Sequence, residues 1–201
     1  MKFEKAKEFI LRKLERELSK NLVYHNVEHT KDVYSSAETL ARLEKIEGED
    51  LTLLLTAVLF HDAGYLVTPK EHEQISCGFA LKYLPDYDYT SRQIKRICAM
   101  IMATRIPQTP YNKLEEVICD ADLYYLGRDD FFATGDRLYE EWYLYGIVIN
   151  ESEWNSLRVR FLEQHRYFTG SAKKMHNAKK NEYIAIIKDQ LKNGGKIVSV
   201  R

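Results

Sequence analysis

The chain has little cysteine, little proline and glycine, no excess of either charge and no long apolar run. Each scarcity removes a class of protein. Cys77, Cys98 and Cys119 are odd in number, far apart in sequence and form no C-x-x-C pair, so neither a disulfide framework nor a structural zinc site is indicated. Each lies among apolar residues, as in Ile97-Cys98-Ala99 and Ile118-Cys119, which reads as buried free thiols in a reducing compartment. Lys plus Arg and Asp plus Glu are 30 each, so there is no global field to hold a nucleic-acid backbone, and extended nucleic-acid binding is not expected. The longest apolar run, Leu51 to Phe60, is ten residues with two threonines, against about 20 for a membrane span. The first twenty residues are highly charged and lack the apolar stretch of a signal peptide. The expectation is a cytoplasmic protein without membrane contact.

What is present is helical. Apolar residues make up 45% of 201 residues, enough for a buried core. Their spacing predicts a first helix through Phe3, Ala6, Ile10, Leu14 and Leu18, and a second that starts near Asn26 as N-cap and runs through Val27, Tyr34, Ala37 and Ala41. Residues 50–60 are apolar nearly all round and rich in Leu and Ala, which predicts a central buried helix. It should stop at His61-Asp62-Ala63-Gly64, where glycine suits a helix end. Further helices are expected at about 71–84, 90–104, 113–126, 130–145, 151–168 and 170–193, separated by Pro85, Pro107-Gln108-Thr109-Pro110 and Gly170. No strand-like alternation persists. The reading is one all-α domain over residues 1–201, an orthogonal helical bundle.

Of six histidines, four fall within the first 72 residues. His61-Asp62 follows the apolar run, so both side chains start at the end of a buried helix. An ionised Asp there is costly unless paired or metal-bound; a plain His–Asp hydrogen bond capping the helix is the equal alternative. His29 sits beside the apolar stripe of the second helix, and His25 precedes that helix as a loop residue or one that supports a ligand. Asp122 borders the stripe formed by Leu114, Val117, Ile118, Ala121 and Tyr125. Asp120 points nearer to solvent on helical geometry, either as a surface carboxylate or as an acceptor that orients a ligand histidine. Two imidazoles and two carboxylates suit one divalent ion, and the set does not choose among Mn, Fe, Zn, Co, Ni and Mg. Such an ion activates water and polarises a phosphoryl oxygen.

The order His29, His61-Asp62, Asp122 resembles the H…HD…D pattern of the HD superfamily of metal-dependent phosphohydrolases. Tyr24-His25-Asn26 before His29-Thr30, Leu59-Phe60-His61-Asp62-Ala63-Gly64 and Asp120-Ala121-Asp122-Leu123 are similar to its three ligand-bearing helices, across residues 22–126. The resemblance implies the all-α HD bundle, one metal on His29, His61, Asp62 and Asp122, and hydrolysis of a phosphoester, commonly in a nucleotide. It also favours Asp122 over Asp120. There are departures. Members that hydrolyse guanosine alarmones carry an acidic pair where this chain has Gly64-Tyr65-Leu66-Val67. Members with two metals need further histidines before the last Asp. His72 is one such residue, with Glu71 or Glu73 as neighbours, but no histidine lies between 73 and 121 and Ala103-Thr104 stands where a second is sought. The set for a second metal is therefore incomplete.

For the substrate, residues 156–180 hold seven Lys and Arg against the single acid Glu163. That is a solvated helix face or a phosphate site. His165 precedes the turn Phe168-Thr169-Gly170-Ser171, and a helix N-terminus with Lys173 suits a phosphate. Lys31 and Arg105 are the other substrate-binding candidates. Three functions are weighed: a phosphohydrolase acting on a small phosphorylated molecule such as a nucleotide (monoester or diester), with Asp62 and His72 as its catalytic pair; an HD-type di-iron oxygenase, against which the missing histidine counts; and a nucleotide-binding regulator without turnover. Assembly into a homo-oligomer is left open.

Overall fold

The computed structural model describes residues 1–192, and among these there is no strand. Nine α-helices follow in order: α1 Phe3–Glu17, α2 Val27–Leu43, α3 Gly48–Phe60, α4 His72–Tyr83, α5 Ser91–Ala103, α6 Lys113–Asp122, α7 Phe131–Leu144, α8 Glu151–Gln164 and α9 Gly170–Lys192. Short 3-10 turns stand at Ala63–Leu66, Leu84–Tyr87 and Tyr124–Gly127. The all-α class and the helix series follow the sequence pattern, with ends displaced by a few residues. Contacts divide the chain into two compact units, one of residues 1–20 and 25–123, the other of residues 21–24 and the chain from Tyr124 onward.

The first unit is built on α3. Every residue from Leu53 to Phe60 is buried, so beyond its exposed first turn this helix has no solvent face and must be enclosed. Helices α1, α2, α5 and α6 all pack on it. They bring Ile10 and Leu14, Val33, Ala37 and Leu40, Ile97 and Ile101, and Val117 and Ile118, each almost wholly buried. The buried face of α2 runs through Thr30, Val33, Ala37, Leu40 and Ala41, one step away from the expected stripe, and Tyr34 is only half-buried. The one hydroxyl in the middle of α3 is satisfied twice. Thr56 Oγ1 donates to Thr52 O at 2.7 Å and lies 2.8 Å from Tyr89 Oη, so its burial carries no unpaired polar atom. Asn26 caps α2 as expected, its side-chain oxygen accepting from the amides of Glu28 and His29 at 2.9 and 3.2 Å.

The second unit packs around aromatic rings. Phe131 and Tyr183 stack at 4.5 Å between centroids, and Tyr183 donates its hydroxyl hydrogen to Arg128 O at 2.9 Å. Gly127 is required by a close approach: a Cβ there would lie 2.4 Å from the Cβ of His176 on α9. The basic stretch 156–180 departs from a solvated face at two positions. Arg158 is buried with its guanidinium over the rings of Phe131, Phe132 and Trp154. Lys180 is buried with its ammonium donating to His165 O at 2.7 Å. Both long side chains give their stems to the core. No helix among the described residues is long and apolar enough to cross a membrane.

Leu54 is fully buried. Leu54→Ala should therefore lower the unfolding free energy by about 2–5 kcal/mol through lost burial and a cavity, read as an earlier urea midpoint followed by circular dichroism.

Candidate metal centre

Four side chains from three helices meet at the end of α3. His29 stands in the first turn of α2, where the Asn26 cap fixes the backbone from which it projects. His61 and Asp62 follow α3 directly, and Asp122 is the last residue of α6. His29 Nε2 lies 3.3 Å from Asp62 Oδ2 and 3.4 Å from Asp122 Oδ1. His61 Nε2 lies 3.2 Å from Asp62 Oδ2 and 3.4 Å from Asp122 Oδ1. Nitrogen and oxygen thus alternate around a small ring.

These contacts are poor hydrogen bonds and good coordination edges. His61 Nδ1 lies 2.7 Å from Val58 O. A carbonyl only accepts, so Nδ1 carries the hydrogen and Nε2 presents its lone pair inward. His61 Nε2 and Asp62 Oδ2 are both buried without a hydrogen-bond partner among the described residues. Two lone pairs aimed at one point, in a site where leaving them unmet costs about 1–3 kcal/mol each, call for a cation. Neighbouring ligands of an ion with bonds of about 2.0–2.3 Å stand roughly 3 Å apart, as the atoms here do. The ligand atoms of His29, His61 and Asp122 all lie within 4.8 Å of one another. The donor set therefore fits a first-row divalent ion.

The charge pattern agrees. Burial opposes a proton on His29, but Asp122 and Asp62 outweigh it and raise its pKa to about 9. Burial likewise opposes charge on His61, and Asp62 and Asp122 again hold it well above the ordinary value. Burial pushes Asp62 and Asp122 up, yet the imidazoles keep both well below the usual carboxylate range. The field at the centre of the ring favours positive charge.

A second layer leans on Asp62. Its Oδ1 faces His72 Nε2 at 3.3 Å, and the same nitrogen lies 3.6 Å from Glu73 Oε1. The Tyr65 ring stacks on His25 at 4.2 Å between centroids with an interplanar angle of 14°, and stands 4.4 Å from the ring of His72. His25, expected as a support, thus joins a row of rings beside the ligands, 5.7 Å from His29. Tyr65 was not singled out by sequence; its only signal is that it follows the His-Asp pair by three positions. Gly64 has a different reason from the one expected. Its φ is not positive, but a Cβ would lie 2.1 Å from His72 O, and its amide donates to Ser76 Oγ at 2.8 Å. Glycine here lets the start of α4 close onto the HD turn and brings His72 to Asp62.

The remaining sequence candidates are dispersed. Asp120 is fully buried rather than solvent-facing, because α6 is buried on most of its circumference from Val117 to Ala121. Lys31 is exposed and paired with Glu28 at 2.7 Å, and Arg105 is exposed after α5. His165 and Lys173 belong to the second unit. There His165 is buried and meets Lys180. Lys173 is exposed in the first turn of α9 with its ammonium on Phe168 O at 2.8 Å, while Thr169 Oγ1 accepts from Ala172 N. No second cluster of three or more metal-ligating side chains occurs among the described residues.

Comparison with known sequences decides the family, for the HD-domain profile matches residues 26–125. The chain belongs to the HD-domain family. The matched span begins at the Asn26 cap and ends three residues past Asp122, so it encloses the whole ring. No curated protein matches the sequence. Two solved structures share the fold. One, from Lactobacillus plantarum, has a TM-score of 0.69 at 18% identity, covering 96% of this chain and 100% of that one. The other, from an uncultured Thermotogales bacterium and described as a predicted HD superfamily hydrolase, has a TM-score of 0.61 at 18% identity, covering 96% and 92%. At such identity the likeness is one of fold. HD domains bind divalent metals, and the family supports metal-dependent hydrolysis in general terms.

Gly64→Ala should push α4 off the HD turn and misplace His72 and Asp62. Affinity for Mn²⁺ should fall by about 10–100-fold, the usual penalty for disturbing what orients a ligand, measured by isothermal titration.

Proposed function

We propose that this protein is a metal-dependent phosphohydrolase acting on a small phosphorylated molecule, a nucleotide being the substrate class most in keeping with its family. The observation that carries the reading is the pair His61 Nε2 and Asp62 Oδ2, 3.2 Å apart, buried and aimed at a common point without hydrogen bonding. Bound there, a divalent ion supplies Lewis acidity to a phosphoryl oxygen and makes water nucleophilic at neutral pH.

The side chains divide the remaining work. His29, His61, Asp62 and Asp122 bind the ion, and the Val58 carbonyl holds His61 in the tautomer that can ligate. Asp62 does two things, one through each oxygen. Oδ2 faces the ring and Oδ1 faces His72. His72 lies between two acceptors, the carbonyl of Pro69 at 3.2 Å from Nδ1 and Asp62 Oδ1 at 3.3 Å from Nε2. Burial opposes its protonation, but Asp62 prevails and its pKa is raised. Protonation of His72 is thus favoured at the edge of the centre, where a proton on Nε2 can pass to a departing alkoxide or phosphate oxygen. His72 is half-buried, so a substrate oxygen can reach it. Lys31 and Arg105 are two exposed cations of the same unit that we assign to a phosphate, Lys31 only by leaving Glu28.

Asp62→Ala should abolish phosphate release from a panel of mononucleotides, cyclic nucleotides and nucleoside triphosphates supplied with Mn²⁺, Co²⁺ or Mg²⁺. The variant should keep the far-ultraviolet circular dichroism of the parent, because the substitution removes a buried anion together with its cation. Full metal-dependent turnover by a folded Asp62→Ala protein would overturn the mechanism. His72→Ala should behave differently, retaining bound metal by elemental analysis while kcat falls by about 10²–10⁴-fold, the range for losing a general acid.

A further inference from the structure

The cysteines, remote in sequence, are not remote in space. Cys77 lies on α4 and Cys98 on α5, and these helices pack against each other. Cys77 Sγ is 3.5 Å from Cys98 O, and Cys98 Sγ is 3.8 Å from Cys77 O. Each sulfur therefore rests on the other residue's backbone, and the contact is reciprocal. A disulfide requires Cα atoms about 4.4–6.8 Å apart, and the two reciprocal sulfur–carbonyl contacts bring these two residues to close range across packed helices. Access is uneven. Cys77 is buried, whereas Cys98 is half-buried and open to solvent, contrary to the burial expected for all three thiols. Cys119, fully buried on α6 and donating to Ala103 O at 3.1 Å, stands apart from the pair.

We propose that Cys77 and Cys98 form a redox-responsive pair that closes to an intramolecular disulfide, stapling α4 to α5, on exposure to hydrogen peroxide. The sulfur of Cys98, the less buried residue of the two, attacks a peroxide oxygen as thiolate. The O–O bond breaks, and the leaving hydroxide is protonated to water. The resulting Cys98 sulfenic acid lies against Cys77. As Cys77 loses its proton, its sulfur attacks the Cys98 sulfur, the S–O bond breaks, and a second water departs. The two thiols together lose two electrons and two protons, and the peroxide takes up both. The roles follow from exposure, and acidity points the same way. Hydrogen bonding with Cys77 lowers the Cys98 thiol against the effect of burial, while the same contact and burial raise that of Cys77. The reactive thiol is thus the accessible one and the resolving thiol the sheltered one. The staple would bear on α4 one residue from Ser76, whose hydroxyl receives the Gly64 amide.

The test uses the full chain, reduced with dithiothreitol, desalted without oxygen and treated with a small molar excess of hydrogen peroxide. Intact mass should fall by two hydrogen atoms, and peptide mapping under non-reducing conditions should return one linked pair, Cys77 with Cys98. Iodoacetamide applied in denaturant should then label Cys119 alone, and dithiothreitol should restore labelling of all three. Cys98→Ser should lose the link. Cys77→Ser should leave a Cys98 sulfenic acid that dimedone traps; the wild-type mapping stands without this variant if it does not fold. Oxygen added to Cys98 without a link to Cys77, a link only between two chains, or no reaction at all would each overturn the proposal.

Discussion

An ionised carboxylate gives up several kcal/mol of hydration when it leaves water, and Asp62 does so beside a second carboxylate, Asp122, with the imidazoles of His29, His61 and His72 as its nearest company. Everything else in the first unit answers to that burden. With no cation in the ring, the imidazoles of His29 and His61 would offset part of it by taking up a proton, the direction in which the carboxylates push them. They cannot meet the whole of it, because the contacts have the length of ion pairs without the direction of hydrogen bonds. The polar atoms are arranged about a point rather than about one another.

Such an arrangement needs a frame that does not relax. Helix α3 provides one by being buried on every side from Leu53 to Phe60, so its C-terminal end has little freedom to shift. Its last carbonyls hold His61, Gly64 lets α4 dock against the turn that follows, and the Asn26 cap sets the register of α2 under His29. Three unrelated local devices, a buried helix end, a close backbone contact and an N-cap, converge on a single cluster.

Much of this was legible in the sequence. The apolar run 51–60 announced a buried helix, and His-Asp directly after it implied ligands at a core boundary. Asn26 read correctly as a cap because its chemistry is local. What depends on packing between helices was not legible. Asp120 looked solvent-facing because periodicity describes one stripe, whereas α6 is covered more widely. Gly64 looked like a helix stop because glycine usually serves there, while its real neighbour is eight residues on. Tyr65 carried no signal beyond its place after the His-Asp pair, since nothing in a linear chain tells that its ring will lie against those of His25 and His72. Cys77 and Cys98 seemed unrelated because their meeting depends on how α4 crosses α5.

The enclosure of α3 also has a cost when the chain is not yet folded. From Leu51 to Phe60 the sequence holds no charge, proline or glycine, which is the composition of a segment that associates with copies of itself when exposed. Glu47, Glu49 and Asp50 precede it and Asp62 follows it. Such charges at the borders of a sticky segment discourage intermolecular stacking. Asp62 therefore serves the nascent chain as well as the finished one: before any ligand ring exists, its charge guards the C-terminal border of the longest apolar run in the sequence.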